Sequence, residues 1–223
     1  MERQVDMYTP LFETSLADLC KQPMMIDANI LMVGIESRAC DPKYYFENMK
    51  ELYIQPLFHC FQSIIIHEMV YNELDLECKL FIDSCSNVTT VHEGGLYGVD
   101  PQYTTIFNNI SEHERVRYDR SRSKDRGEVY SLAYAAYHGI NLFSSKEIMV
   151  DDIAKDLKDL MCVKVITFDI IVLLAYVYHN SNDNTSCNKG LKSLYKRYCE
   201  DVIKRHGLPA TLLEYVAACS DYI

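Results

Sequence analysis

Acidic residues follow several predicted elements of this chain, at positions where side chains often do chemistry. Asp27 follows the apolar run MMI, and Glu68 and Glu73 follow the β-branched run III. Asp125 and Glu128 open an alanine-rich helical segment. Parallel α/β sheets bind ligands outside the carboxyl ends of their strands, so these acids are expected near one edge. Clustered carboxylates repel one another and need a cation, and Mg²⁺ or Mn²⁺ prefers oxygen ligands. The pattern predicts a divalent metal site.

Each acid also has a purely structural interpretation. Asp27 is an equally good N-cap for a helix that follows its strand. Asp125 and Glu128 have the spacing of a capping box, in which two polar side chains satisfy the first amides of a helix. Glu73 on a helix is by default a solvated residue. The metal-site hypothesis therefore rests on the whole set of acids rather than on any one of them.

Short apolar runs alternate with helical patterns, which is typical of a parallel sheet with helices on both faces. The predicted strands are residues 24–26, 64–66, 88–91, 142–143 and 163–167. The predicted helices are residues 43–53, 67–85, 101–110, 128–137, 148–160, 169–179, 191–206 and 209–222, with 181–190 as a polar linker. The predicted class is α/β, with a central mainly parallel sheet flanked by helices and a C-terminal helical extension.

Segments of this chain, taken in order, resemble the PIN-domain family. They are Asp27-Ala-Asn29-Ile-Leu, IIIHEMVYNEL with Glu73 near its end, and Asp125-x-Gly127-Glu128 ahead of the alanine-rich helix. The likeness continues through LFSS and VKVITFDIIVLLAY and covers about residues 24–175. Members of the family are metal-dependent nucleases with a three-layer fold, and many are toxins of bacterial toxin–antitoxin pairs. The resemblance implies a nuclease domain over residues 1–180 and a helical extension over 181–223.

The resemblance also implies roles for single residues. Asp27 matches the family's first metal ligand, and Asn29 its usual polar neighbour, an accessory residue. Glu73 matches the second acid better than Glu68 does, because it stands in the context Val-Tyr-x-Glu-Leu. Glu128 matches the third acid, and Asp125 is an accessory acid. Asp27, Glu73 and Glu128 would hold Mg²⁺ or Mn²⁺, and Asp125 would complete the catalytic set.

One position departs from the family's pattern. The family commonly has a further Asp after the next strand, where this chain reads LFSSKE and Lys146 stands in the expected slot. Ser144 or Glu147 could substitute as an accessory ligand. Ser144-x-x-Glu147 is also a capping-box spacing, which is the preferred interpretation of Glu147. A site with three firm acids would bind a second metal weakly, or act with one.

Residues 115–126, RVRYDRSRSKDR, carry six basic residues and a Tyr just before the third acid. One interpretation is a solvated charged loop. The other is a basic lip for single-stranded RNA, with arginines on the phosphates and an aromatic ring on a base. Its predicted RNA-binding residues are Arg115, Arg117, Tyr118, Arg120 and Arg122.

Composition limits the alternatives. The net charge of −10 argues against a general nucleic-acid-binding surface but allows a local basic groove. Nine scattered cysteines without a C-x-x-C pair suit reduced thiols in a cytoplasm. The start MERQVDMYTP lacks a signal peptide's apolar core, and the apolar stretch from Ile170 to Tyr178 is too short for a bilayer. No H-E-x-x-H, P-loop, G-x-G-x-x-G or G-x-S-x-G motif occurs, so nucleotide-driven and serine-hydrolase chemistry find no support.

We therefore expect a cytoplasmic metal-dependent endoribonuclease, the toxin of a toxin–antitoxin or similar defence system. Its expected partners are an RNA substrate, a protein antitoxin and further copies of the chain, with no membrane. The copies would associate through the Tyr- and Cys-rich C-terminal helices, whose one-sided apolar faces need cover. The alternative is a catalytically weakened PIN-like module that binds RNA or protein without cutting. Lys146 in an acid slot favours that alternative, whereas Asp27, Glu73 and Glu128 favour the enzyme.

Overall fold

The computed structural model describes residues 15–33, 42–117 and 126–223, which divide into two compact units. The sheet unit comprises the described residues within Pro23–Ile35 and Ser63–Ile166. The helical unit comprises those within Met1–Gln22, Glu36–Gln62 and Thr167–Ile223. The predicted domain boundary after residue 180 stays a prediction. None of the helices in the described ranges is long and apolar enough to cross a membrane.

The strands are β1 Met24–Ile26, β2 Ile64–His67, β3 Val88–Val91, β4 Leu142–Ser144 and β5 Lys164–Ile166. Within the described residues they form one five-stranded sheet in the order β3-β2-β1-β4-β5, and every pair is parallel. Met24 of β1 is in register with Ile64 on one side and Leu142 on the other. Apolar runs suit such strands because a parallel sheet is usually covered on both faces. The α/β class and the parallel sheet are confirmed, and a PIN-like arrangement stays a prediction.

The helices are numbered along the chain. They are α1 Leu16–Leu19, α2 Ala28–Leu31, α3 Phe46–Met49, α4 Gln55–Cys60, α5 Glu68–Glu73, α6 Leu76–Ser84, α7 Pro101–Glu112, α8 Glu114–Arg117, α9 Arg126–His138, α10 Ile148–Asp156, α11 Phe168–Ser181, α12 Asn188–Tyr198, α13 Glu200–His206 and α14 Leu212–Ala218. A π-helical turn, Lys50–Ile54, joins α3 to α4. Single 3₁₀ turns lie at Pro42–Tyr44, Lys158–Leu160, Thr185–Cys187 and Ser220–Tyr222.

One face of the sheet unit carries a continuous apolar core. Met25, Phe143 and Val165 point to this face, since side chains alternate along a strand. They join one cluster with buried residues of α7, α9 and α10, such as Leu132 and Ile153. This packing fixes α9 against the sheet. The predicted third acid, Glu128, lies in the first turn of α9.

Several predicted helices have different limits in the structure. The single helix predicted over 67–85 is wrong, because the chain is extended at Leu74 and restarts as α6. The carboxylate of Asp75 accepts the amide hydrogen of Cys78 at 2.9 Å and caps the new helix. The helix predicted over 148–160 ends at Asp156, where the extended Leu157 stops it. The helix predicted to end at residue 53 continues through the π turn into α4.

The helical unit holds α1, α3, α4 and α11–α14. The stretch from Ile170 to Ala175 is buried within α11, and the helix predicted over 169–179 is confirmed. The predicted linker 181–190 is wrong in its second half, because α12 begins at Asn188. Many apolar residues of the C-terminal segment are buried within the chain, whereas Leu213 is 48% exposed. The buried ones are Leu191, Leu194, Tyr195, Cys199, Val202, Leu212, Tyr215 and Cys219. This burial counts against association through their apolar faces, and a homo-oligomer stays a prediction.

Candidate functional site

Strand order places a topological switch point beside β1. The chain continues from β1 to β2 and β3 on one side, whereas β4 and β5 lie on the other. Open α/β sheets bind ligands in the crevice outside the carboxyl ends of the strands at such a point. Asp27 directly follows β1 and Ser145 directly follows β4. Their side chains meet there, because the Ser145 hydroxyl donates to Oδ2 of Asp27 at 3.2 Å.

Asp27 is a buried carboxyl group with acidic neighbours. Only 1% of the residue is exposed, and its Oδ1 accepts the amide hydrogen of Ala28 at 2.8 Å, so Asp27 caps α2. Burial is the main cause that raises the pKa of Asp27 to about 7. The bonds from Ala28 and Ser145 lower this pKa, and the charges of Glu73 and Glu147 raise it further. The N-cap interpretation is therefore confirmed, and it coexists with an acidic site.

Hydrogen bonds tie the segment after β1 to the segment after β4. The Ser145 hydroxyl accepts from Nδ2 of Asn29 and from the amide of Glu147, both at 3.1 Å. Oδ1 of Asn29 accepts the amide hydrogen of Lys146 at 2.9 Å. One donated and two accepted bonds use the full capacity of a hydroxyl group. Ser145 thus holds Asp27 in place, a role that the sequence analysis did not assign to it.

Glu73 lies against α9, and its charge acts on Asp27. It is the last residue of α5 and is exposed. A Cβ atom at Gly127 would lie 3.0 Å from Oε1 of Glu73 and 3.1 Å from Cγ2 of Val70. The carboxylate therefore lies against the first turn of α9, at a position that a glycine leaves open. Gly127 belongs to the PIN-like motif, but its spacing role was not predicted.

The acid that follows β4 and acts on Asp27 is Glu147. Lys146, which stands where the sequence pattern led us to expect an acid, is basic. Glu147 is the residue before α10 and its side chain makes no capping bond. Ser144 is buried in β4, and its hydroxyl donates to the carbonyl of Ile166 at 3.4 Å. The capping box predicted for Ser144 and Glu147 is therefore wrong. The charge of Glu147 instead adds to that of Glu73 in raising the pKa of Asp27.

The other acids that the sequence singles out are Glu128, Glu68 and Asp125. Glu128 lies in the first turn of α9, and its Oε2 is buried. Glu68 is exposed at the start of α5, and Asp125 lies outside the described residues. Within the described ranges, no three His, Cys, Asp or Glu side chains are placed to hold one metal ion together.

The predicted basic lip is described only at its first residue. The Arg115 guanidinium lies 3.1 Å from Oδ2 of Asp152. The side chain of Arg117 and the whole of Tyr118, Arg120 and Arg122 lie outside the described residues. At Arg115 the structure therefore shows an ion pair, and the RNA-binding role of this segment stays a prediction.

His67 is a buried residue at the end of β2. Its Nδ1 accepts the amide hydrogen of Met69 at 3.2 Å, so it caps α5 and the proton of the neutral ring lies on Nε2. Nε2 is buried and has no hydrogen-bond partner among the described residues. Burial, followed by the charge of His92, lowers the pKa of His67 to about 4. The ring is therefore neutral near pH 7, stacked on that of Tyr130 at 5.7 Å.

Comparisons of the chain with protein-family models, curated proteins and solved structures found no match. The likeness to the PIN family rests on the ordered motifs of the sequence.

Proposed function

We propose that this chain is a metal-dependent endoribonuclease that hydrolyses RNA phosphodiester bonds, and that it is the toxin of a toxin–antitoxin or similar defence system. The observation that carries the proposal is the buried position of Asp27 at the switch point of a parallel sheet, where the charges of Glu73 and Glu147 add to burial in raising its pKa. The resemblance to PIN domains supplies the reaction class, the RNA substrate and the protein antitoxin as partner.

The chemistry of the donor set suits a hard divalent cation. Asp27, Glu73 and Glu147 offer carboxylate oxygens, which are the ligands that Mg²⁺ and Mn²⁺ prefer. In the proposal Asp27, Glu73 and Glu128 hold the cation, with Asp125 and Glu147 as accessory acids, and the cation must draw these side chains together, because no three of the described side chains are already placed for one ion. When bound, such a cation polarises a phosphoryl oxygen and lowers the pKa of a water molecule, so hydrolysis needs no protein nucleophile.

The chain's own contacts prepare Asp27 for this role. The amide of Ala28 fixes one carboxylate oxygen and the hydroxyl of Ser145 fixes the other. Each oxygen keeps a second lone pair that the hydrogen bond does not use. Repulsion from Glu73 and Glu147 opposes ionisation of Asp27 in the absence of a cation. A positive charge at this position would relieve the repulsion and favour the ionised, ligating form.

The second candidate is a PIN-like module that binds RNA or protein without cutting. Two observations favour it. The described residues bring no three ligating side chains together around a single point. Arg115, the described member of the basic segment, is paired with Asp152.

Manganese-dependent cleavage of RNA by the full chain tests the proposal. Asp27→Asn keeps the shape of the side chain and removes one negative charge, so we expect cleavage to fall by about 100-fold or more, the size of a lost electrostatic contribution to catalysis. Asp221→Asn makes the same change at an exposed residue and should leave the rate unchanged. Expression of the parent protein in a bacterial host should arrest growth, and expression of Asp27→Asn should not.

Two outcomes would contradict the enzyme. Cleavage by Asp27→Asn at the parental rate would exclude the carboxylate mechanism. A parent protein that binds RNA but does not cut it with Mg²⁺ or Mn²⁺ would support the non-cutting module instead.

A further inference from the structure

Helices α5 and α9 of the sheet unit pack against each other in opposite directions. His67, the residue before α5, has its ring centroid 5.7 Å from that of Tyr130, which lies about one turn into α9. Glu73, the last residue of α5, lies instead against Gly127, the second residue of α9. Residue numbers rise along α5 while they fall along α9, so the two helices are antiparallel. The start of α9 therefore lies beside the end of α5 that carries Glu73.

Gly127 is buried, and its neighbours leave little room for a side chain. A Cβ atom there would lie 3.0 Å from Oε1 and 3.4 Å from Cδ of Glu73, and 3.1 Å from Cγ2 of Val70. Carbon atoms in favourable contact are about 3.5–4.0 Å apart, so such a Cβ would have to displace one of these neighbours. Gly127 is not among the described residues with positive φ, and glycine is a weaker helix former than alanine. Spacing, rather than backbone conformation, is therefore what requires a glycine in this turn.

The two neighbours of Gly127 differ in how easily they move. Val70 is fully buried, and its β-branched side chain is confined to few rotamers. Glu73 is exposed, and its carboxylate ends a long side chain with several rotatable bonds. An added methyl group would therefore displace mainly the Glu73 carboxylate. The charge of that carboxylate acts on Asp27, so its displacement would alter the candidate site.

The first turn of α9 also suits a negative charge. The first amide groups of a helix have no partner within it, and the helix dipole places partial positive charge at this end. The Glu73 carboxylate can lie against this turn because Gly127 has no side chain. A residue with a side chain would move the carboxylate away from the positive end of α9.

We propose that Gly127 is a positioning residue for the metal site, whose missing side chain lets the start of α9 hold the Glu73 carboxylate where it can share a divalent cation with Asp27. This role rests on the proposed function, since it concerns the cation that Asp27 and Glu73 would bind. Gly127 itself acts only through Glu73.

Mn²⁺ binding to the full chain tests this role without relying on RNA cleavage. Gly127→Ala should raise the dissociation constant for Mn²⁺ by about 10-fold, the size of effect expected when a residue that orients a metal ligand is changed. Electron paramagnetic resonance of free Mn²⁺ measures this constant. Cleavage assays should show the same rise in the Mn²⁺ concentration that gives half of the maximal rate.

A second helical glycine provides a matched control. Gly190 is the third residue of α12, and a Cβ atom there would lie 3.0 Å from Cδ1 and Cδ2 of Leu52. Gly190→Ala thus crowds an apolar side chain as closely as Gly127→Ala crowds a carboxylate. Its dissociation constant for Mn²⁺ should equal that of the parent, even where its melting temperature changes.

Two combinations separate the carboxylate contact from helix packing. Val70→Ala removes Cγ2, so Val70→Ala together with Gly127→Ala keeps only the contact with Glu73. This double variant should still bind Mn²⁺ about 10-fold more weakly than Val70→Ala alone, and it provides the test where Gly127→Ala by itself does not fold. In a Glu73→Gln background, by contrast, Gly127→Ala should cause no further loss, because effects transmitted through one side chain are not additive.

The outcomes distinguish this role from the proposed function. A parent chain that binds no Mn²⁺ would overturn both. A parent that binds Mn²⁺ no more tightly than Gly127→Ala, or a Val70→Ala variant that binds it no more tightly than the double variant, would overturn the positioning role alone. Equal weakening by Gly190→Ala, or a further loss from Gly127→Ala in the Glu73→Gln background, would overturn that role as well.

Discussion

Asp27 of the sheet unit and Asp169 of the helical unit are both buried, yet their neighbours differ. Oδ1 and Oδ2 of Asp169 accept hydroxyl hydrogens from Thr167 at 2.5 Å and from Tyr215 at 2.7 Å. Burial raises the pKa of Asp169, and its neighbours lower it. Burial also raises the pKa of Asp27, but there Glu73 and Glu147 raise it further. Burial thus raises the pKa of both acids, and at Asp27 acidic neighbours add to the effect of burial.

The largest effect expected from this comparison is structural and concerns Asp169. Tyr215→Phe keeps the ring and its stack on Tyr195, whose centroid lies 5.5 Å away, but removes a donor to a buried carboxyl oxygen. We expect the free energy of unfolding to fall by about 2 kcal/mol, the cost of leaving a buried acceptor without its donor. Urea denaturation of the parent and the variant measures this difference.

An exposed tyrosine provides the control. Tyr45→Phe makes the same change at a half-exposed ring and should alter the unfolding free energy by less than about 0.5 kcal/mol. Folded Tyr215→Phe should retain metal-dependent RNA cleavage, because Asp169 is assigned no catalytic role. Equal stability of the two variants would show that the bond between Tyr215 and Asp169 contributes little.

The next effect is of opposite sign and concerns Asp27. A carboxyl whose pKa is raised in the folded state binds more protons when folded than when unfolded, so its ionisation destabilises the fold as pH rises. With a folded pKa of about 7 against 3.8, this destabilisation is absent below about pH 4 and complete above about pH 7. The shift corresponds to about 4 kcal/mol at pH 8. The weaker bonds of an amide to Ala28 and Ser145 would offset about 1 kcal/mol each, so Asp27→Asn should stabilise the metal-free protein by about 2 kcal/mol.

The pH dependence of this difference distinguishes relieved repulsion from better packing. The gain from Asp27→Asn should disappear at pH 4, where the parental carboxyl is protonated. His67 acts in the opposite direction. Its folded pKa of about 4 lies below the ordinary histidine value of 6.5, so the folded protein loses stability as pH falls through that range. Thermal melting in the absence of metal should therefore show a steeper acid loss in Asp27→Asn than in the parent. A gain that is constant from pH 4 to pH 8 would contradict the assigned ionisation.

The sheet could be predicted from sequence because its strands are short apolar runs that end at polar residues. Met24, Met25 and Ile26 are each fully buried, and the predicted strand over these residues is confirmed. Helix limits were less predictable, because a single side chain decides them. Asp75 divides one apolar helical pattern into α5 and α6, and periodicity alone does not show whether such a residue caps a new helix or faces solvent.

The candidate site was predictable only in part, for a similar reason. Asp27 and Glu73 stand after strands, and their electrostatic contact agrees with that placement. Ser145 and Gly127 act through distances between segments that are remote in the sequence. The Ser144-x-x-Glu147 spacing favoured a capping box, but the next serine in the chain accepts the amide hydrogen of Glu147 instead. A local spacing rule cannot choose between adjacent serines when a distant carboxylate sets the orientation.

The smallest expected effect concerns two buried serines of the sheet unit. Ser145 and Ser131 are both 0% exposed, and their hydroxyl groups differ in hydrogen bonding. The Oγ atom of Ser131 is buried and has no hydrogen-bond partner among the described residues, whereas that of Ser145 bonds to Asp27 and Asn29.

Ser145→Ala should lower the unfolding free energy by about 1 kcal/mol, and Ser131→Ala should leave it nearly unchanged, since no bond is lost. Ser145→Ala should also raise the pKa of Asp27 further, because the lost bond lowers it. Urea denaturation and carboxyl titration by NMR measure the two effects. Equal losses in the two variants, with no change at Asp27, would mean that Ser145 only fills space and does not hold the carboxylate.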